Sequence, residues 1–125
     1  MQDASPQLEN GYTRIANELL EAFAKYPFNA TEYKIVLFVV RKTYGWKQKE
    51  ALISYGAIAK ELNADIRYIK RLMNKLIQDK VIFKEKLDRQ NSIGINKNYK
   101  AWRLWKTNVY GGEKTTMPVD SQPPD

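Results

Sequence analysis

The chain has 125 residues, with 21 lysines and arginines against 14 acids for a net charge of +7, and 43% of it is hydrophobic, enough for one basic domain with its own core. Cysteine and histidine are both absent, which excludes zinc fingers, cysteine nucleophiles, Ser-His-Asp triads and imidazole bases and leaves only carboxylate, lysine or tyrosine chemistry. The longest apolar run, Ile35–Val40, is too short for a bilayer, which takes roughly 20 residues, and the first ten residues lack the basic and apolar regions of an export signal, so a soluble cytoplasmic protein is expected.

The charge is uneven along the chain. Residues 1–11 and 107–125 are each net acidic, whereas residues 12–106 hold 20 lysines and arginines against nine acids, a surplus of +11. Such a surplus suits a polyanionic partner, with a merely solubilising surface as the alternative. Both ends are polar and lack apolar periodicity, with Gly111-Gly112 and three prolines in the second. A disordered arm over 1–11, a folded domain over 12–106 and a disordered linker or tail over 107–125 are therefore expected.

The first helix is expected to open at Asn17 as cap, to turn Leu19, Leu20, Phe23 and Ala24 inward, and to stop at Pro27. Asn29-Ala-Thr-Glu32 has the spacing of a capping box. It predicts a second helix that ends where Gly45 takes a left-handed position, although the β-branched interior Ile35–Val40 would also suit a strand. Leu52-Ile53 is expected to form a short strand. Ser54 then caps a third helix through Leu62, and Asn63-Ala64-Asp65 makes a turn of helix-turn-helix length.

The fourth helix, 66–78, carries Ile69, Leu72, Met73, Leu76 and Ile77 as one apolar stripe. Arg67, Arg71, Asn74, Lys75 and Gln78 are placed opposite, with Tyr68 and Lys70 at the edges and no acid anywhere between Ile66 and Gln78. A solvated helix face usually mixes signs. Arginine and asparagine can each make paired bonds to a base edge, and lysine meets phosphate, so Arg67, Arg71 and Asn74 are expected at base edges and Ser54, Tyr68, Lys70 and Lys75 at the backbone.

Val81–Lys86, a polar turn over Leu87–Ser92 and Ile93–Asn96 predict a hairpin. The expected fold is thus mainly α with a small β-hairpin, a winged helix-turn-helix of the α+β class. Lys84, Lys86, Arg89 and Lys97 would then contact DNA from the wing, unless the hairpin is a plain surface feature. Tyr99, Trp102 and Trp105 are candidates either for core packing or for a dimer seam.

Three separated stretches, Gln7–Ile15 running into Asn17–Ala22, then Arg41-Lys-Thr-Tyr-Gly-Trp46, then Ile93–Lys97 with Tyr99, resemble the N-terminal domain of the phage replication protein O family over roughly residues 7–102. The resemblance implies an origin-binding winged helix that initiates DNA replication at repeated double-stranded sites of a phage or prophage origin, as a homodimer on an inverted repeat. It implies nothing catalytic and no cofactor or metal. It also implies a helicase or helicase-loader partner, engaged by a C-terminal region expected to be absent here, and a place at the host nucleoid. Asp65–Arg71 stands where relatives vary, so base preference is not carried over.

Two other functions stay open on the residues alone. A winged-helix transcriptional regulator shares fold and charge, and a protein-interaction module could use Tyr99, Trp102 and Trp105. An ATPase is disfavoured because Gly111-Gly-Glu-Lys-Thr115 lacks the glycines a phosphate-binding loop needs at 108 and 113. A metal-dependent nuclease would need clustered acids, but Glu18 and Glu21 are helix-start acids and Glu32 lies within a helix instead of on an active-site strand.

Overall fold

Residues 3–105 are described by a computed structural model; the expected tail 107–125, the first two residues of the arm and residue 106 lie outside them. The order of elements is α1 (Asn17–Lys25), α2 (Ala30–Thr43), β1 (Glu50–Leu52), α3 (Tyr55–Leu62), α4 (Ile66–Gln78), β2 (Ile82–Leu87) and β3 (Gln90–Ile95), with single 3₁₀ turns at Leu8–Asn10, Tyr44–Trp46 and Tyr99–Ala101. Among the described residues the fold is α+β, with four α-helices and one small antiparallel sheet.

The capping box forms as the spacing predicts. The Asn29 side-chain oxygen accepts from the Glu32 amide at 2.8 Å, and the Asn29 amide donates to Glu32 Oε1 at 2.8 Å. Ile35–Val40 is therefore helical, because the satisfied end outweighs the β preference of its valines and isoleucine. The far end of α2 departs from expectation: Tyr44 continues right-handed into the 3₁₀ turn, and Lys47, not Gly45, is left-handed with φ 60. A Cβ on Gly45 would lie 2.7 Å from Arg41 Nη1 and 3.2 Å from Thr13 Oγ1, so a larger residue there would displace the end of the Arg41 side chain.

Helix α1 is also corrected. Ala16 is its cap and no side chain bonds there, so Asn17 is already inside the helix. Leu19, Ala22, Phe23 and Tyr26 are buried at positions i, i+3, i+4 and i+7, whereas Leu20 and Ala24 face water.

The sheet order is β1-β3-β2. Asp88 and Arg89 form a two-residue turn with Asp88 left-handed at φ 56, so the expected six-residue loop is mostly strand. Ser92 pairs with Leu52 on one side and Glu85 on the other, which places it at the buried centre of the sheet. The short strand begins earlier than Leu52-Ile53, at Glu50, opposite Gly94. A Cβ on Gly94 would sit 2.3 Å from the Lys49 carbonyl and 2.5 Å from Phe83 Cζ, so only glycine fits where β1 and Phe83 close over β3.

One core joins these elements. Val36 and Val39 of α2, Ile58 of α3, Ile69, Met73 and Leu76 of α4 and Ile93 of β3 are all buried in it. Trp102 completes it at 1% exposure, stacked on Phe23 at 5.7 Å and edge-on to Tyr26 at 5.4 Å, with its Nε1–H donating to the Asn96 carbonyl at 2.9 Å. Arg103 then fixes the segment by donating from Nε to Asp79 Oδ1 at 2.7 Å.

Candidate nucleic-acid interface

Two caps aim α3 and α4. Ser54 Oγ accepts from the Ala57 amide at 3.0 Å, and Asp65 Oδ1 accepts from the Arg67 amide at 2.7 Å. Between them Asn63 turns left-handed at φ 53 and lets the chain reverse within three residues. The buried stripe of Ile69, Leu72, Met73 and Leu76 locks α4 to the core and leaves Arg67, Arg71, Asn74 and Gln78 in water on the opposite side.

The exposed side chains of α4 differ in how they are held. Arg67 folds back on its own cap, with Nη2 3.2 Å from Asp65 Oδ2, and that bond keeps the Asp65 carboxyl below its ordinary range. Both partners are exposed, so the pair contributes little and opens readily. The Arg71 guanidinium lies over the Tyr68 ring at 5.0 Å, which makes Tyr68 its support. Asn74 is free-standing in water.

Lys75 is a different case. Its Nζ donates to Glu32 Oε2 at 2.8 Å and lies 3.8 Å from Asp79 Oδ2. The ammonium is committed to two carboxylates of the fold, which corrects its expected place on a phosphate. At about 100° per residue Lys75 falls on the same flank as Tyr68, toward α2, and away from the centre of the polar face.

The other flank opens on a cleft of about 740 Å³ between α4 and the hairpin turn, lined by Ser54, Ile66, Lys70 and Arg89 together with Phe38 and Lys42 of α2. No acid lines it. The structure thus brings Ser54, Lys70 and Arg89 together and adds Lys42, which sequence reading missed. The available signal was Phe38 and Lys42 at i, i+4 on α2, where the Lys42 ammonium sits 5.5 Å from the Phe38 ring.

The hairpin sorts its charges by face. Lys84 pairs with Ile93 and Lys86 with Asn91, so both side chains lie on the helix-facing side of the sheet, while Glu85 lies on the other with Ser92. Lys84 Nζ is 3.5 Å from the Tyr55 hydroxyl at the start of α3. Lys97 is set apart, lining a smaller cleft with Arg14, Glu18, Tyr44 and Tyr99.

Of the expected dimer contacts, Trp102 is corrected outright, because a core ring cannot meet a partner. Tyr99 and Trp105 are half-buried and packed edge-on at 4.8 Å. The Tyr99 hydroxyl donates to Glu18 Oε2, which ties the turn after β3 to α1 and raises the phenol pKa. Among the described residues no group of three or more acids could hold a metal, and no helix is long and apolar enough to cross a membrane.

The profile of the family described as bacteriophage replication protein O matches residues 5–102. Replication protein 15 of Enterobacteria phage phi80 is 28% identical over 99 residues, covering 79% of this chain and 33% of that protein. Replication protein O of Escherichia phage lambda is 26% identical over 95 residues, 76% of this chain and 27% of that protein. DNA replication protein gp18 of Salmonella phage P22 is 36% identical over 109 residues, 87% of this chain and 38% of that protein. The chain spans about a third of the length of these relatives. No solved structure gives a significant match.

Proposed function

The chain belongs to the bacteriophage replication protein O family, and from that premise we propose that it is a sequence-specific, double-stranded DNA-binding domain that acts at repeated sites of a phage or prophage replication origin. The observation that carries the proposal is the acid-free outer face of α4, bordered by an acid-free cleft whose far wall is the hairpin turn. In this reading α3, α4 and the hairpin are a winged helix-turn-helix. Helix α4, 13 residues and roughly 20 Å long, lies in the major groove, which is about 12 Å wide and admits a helix.

The proposed roles rest on where each side chain stands. Arg71, steadied by Tyr68, and Asn74 read base edges, and Arg67 joins them by exchanging Asp65 for a base. Lys42, Lys70, Arg89 and the capped start of α3 at Ser54 hold phosphates around the cleft, and Lys84 and Lys86 follow the backbone from the wing. A homodimer on an inverted repeat, and a helicase or its loader met through a region beyond this domain, complete the proposal, which places the protein on DNA in the host cytoplasm. The dimer seam would have to use surface other than Trp102.

Selection of bound duplexes from a random library tests this. One enriched motif, recurring as closely spaced copies in a replication origin, is the expected result. Isolated copies before promoters would make the domain a transcriptional regulator, and no enrichment would remove specific recognition altogether.

A further inference from the structure

Away from α4, two large aromatic side chains are left in water beside each other's segment. Tyr12 and Trp46 are each 63% exposed, and both line a cleft of about 330 Å³ formed by residues 10–13 and the end of α2. That volume is at the lower end for small-ligand sites. The backbone that carries Trp46 is an ordered turn: the Lys47 amide donates to the Tyr44 carbonyl at 3.0 Å and the Gln48 amide to the Thr43 carbonyl at 2.9 Å. The Arg41 guanidinium stands 6.0 Å from its centroid, and Gly45 leaves the room in which Arg41 and Thr13 approach.

The charge around the cleft is mostly basic: Arg41 lines it, Lys47 follows Trp46 and Arg14 follows Thr13, against Glu9 beside Asn10. Exposed aromatic rings with a free face, a planar guanidinium and a basic surround are what single-stranded nucleic acids require, because every base has a π-face and the backbone is anionic. A duplex keeps its bases stacked internally and cannot offer those faces. Asn10 and Thr13 on the cleft wall supply polar groups for a base edge.

We propose that this cleft is a stacking site for an unpaired base of a single-stranded nucleic acid, Trp46 and Tyr12 supplying the rings and Arg41 the cation. The site goes beyond the duplex-reading face and shares no residue with α4. The test is fluorescence anisotropy of labelled oligothymidylate and oligouridylate at fixed salt, with the library-selected duplex titrated in parallel. Trp46→Ala should weaken oligothymidylate binding about tenfold or more, with Trp46→Phe recovering most of it, and should leave the duplex affinity within about twofold. Arg71→Ala should do the reverse, so failure of this site and failure of the duplex face are separable. Comparable oligouridylate binding places the site on unpaired bases of either sugar. Oligothymidylate binding no tighter than that of a random duplex, or unchanged in Trp46→Ala, would overturn the proposal and leave the aromatic patch to a protein partner.

Discussion

Glu32 divides its carboxylate between two helices: Oε1 accepts from the Asn29 amide that opens α2, and Oε2 accepts from Lys75 on α4 at 2.8 Å. One buried acid, 1% exposed, therefore sets both the start of α2 and the orientation of the helix proposed to read DNA. The arrangement fixes α4 by its flank and leaves the polar face unencumbered.

Removing the lysine strands that acid. Lys75→Met should cost about 1–3 kcal/mol in urea denaturation, less than a fully buried pair because the ammonium is 46% exposed. Glu32→Gln should cost less, since glutamine can still close the capping box. The Glu32 bond raises the Lys75 pKa above its ordinary 10.5, so its contribution is complete below the unfolded value and fades only as pH rises through the folded one. Stability from this pair should be flat between pH 6 and 9 on that account. In DNA titrations Lys75→Met should leave the salt slope unchanged; a slope lower by about 1 would return the ammonium to phosphate.

Trp102 is a core residue, and its replacement should report on folding alone. Trp102→Ala should destabilise by about 3–5 kcal/mol. Trp102→Phe, which keeps a ring on Phe23 but leaves the Asn96 carbonyl without its donor, should cost about 1–3 kcal/mol. Analytical ultracentrifugation of the phenylalanine variant should match the parent; a shift in oligomeric state with folding intact would place Trp102 at a seam.

Arg71→Ala should lose about 1–3 kcal/mol at the selected site and blur preference at one base pair, measured on a panel of single-base variants. An equal loss on random duplex would make Arg71 a phosphate contact. Tyr68→Leu should show a weaker version of the same change, because the ring supports the guanidinium.

Lys86→Ala, on the helix-facing side of the hairpin, should weaken binding to every duplex and lower the salt slope by about 1. Glu85→Ala, on the other side, should do neither. Equal effects from the two would mean that the hairpin does not lie along DNA.

The parts of this fold that were legible in the chain were those with local chemistry. The Asn29–Glu32 box, the Ser54 and Asp65 caps and the stripe from Ile69 to Leu76 are decided within one or two turns, and all formed as expected. What was hidden depended on distant partners. Nothing near Lys75 announces Glu32, 43 positions away. Gln90–Ser92 looked like a loop because their side chains are polar, yet pairing on both sides of β3 makes them strand. Lys42 escaped notice because the cleft it lines is assembled from α2, α4 and the hairpin turn. Gly45 signalled a conformation that the folded chain gives to Lys47 instead.

In the proposed function the outer face of α4 reads sequence and does not merely grip a polyanion. The most direct test of that reading is an anisotropy titration of the library-selected duplex against a scrambled duplex of equal length, at two salt concentrations. The two affinities should differ by about 1,000-fold or more at physiological salt, with both weakening as salt rises and the gap surviving. Equal affinities that fall together with salt would contradict it, and would reduce the +11 of residues 12–106 to a nonspecific hold on phosphate.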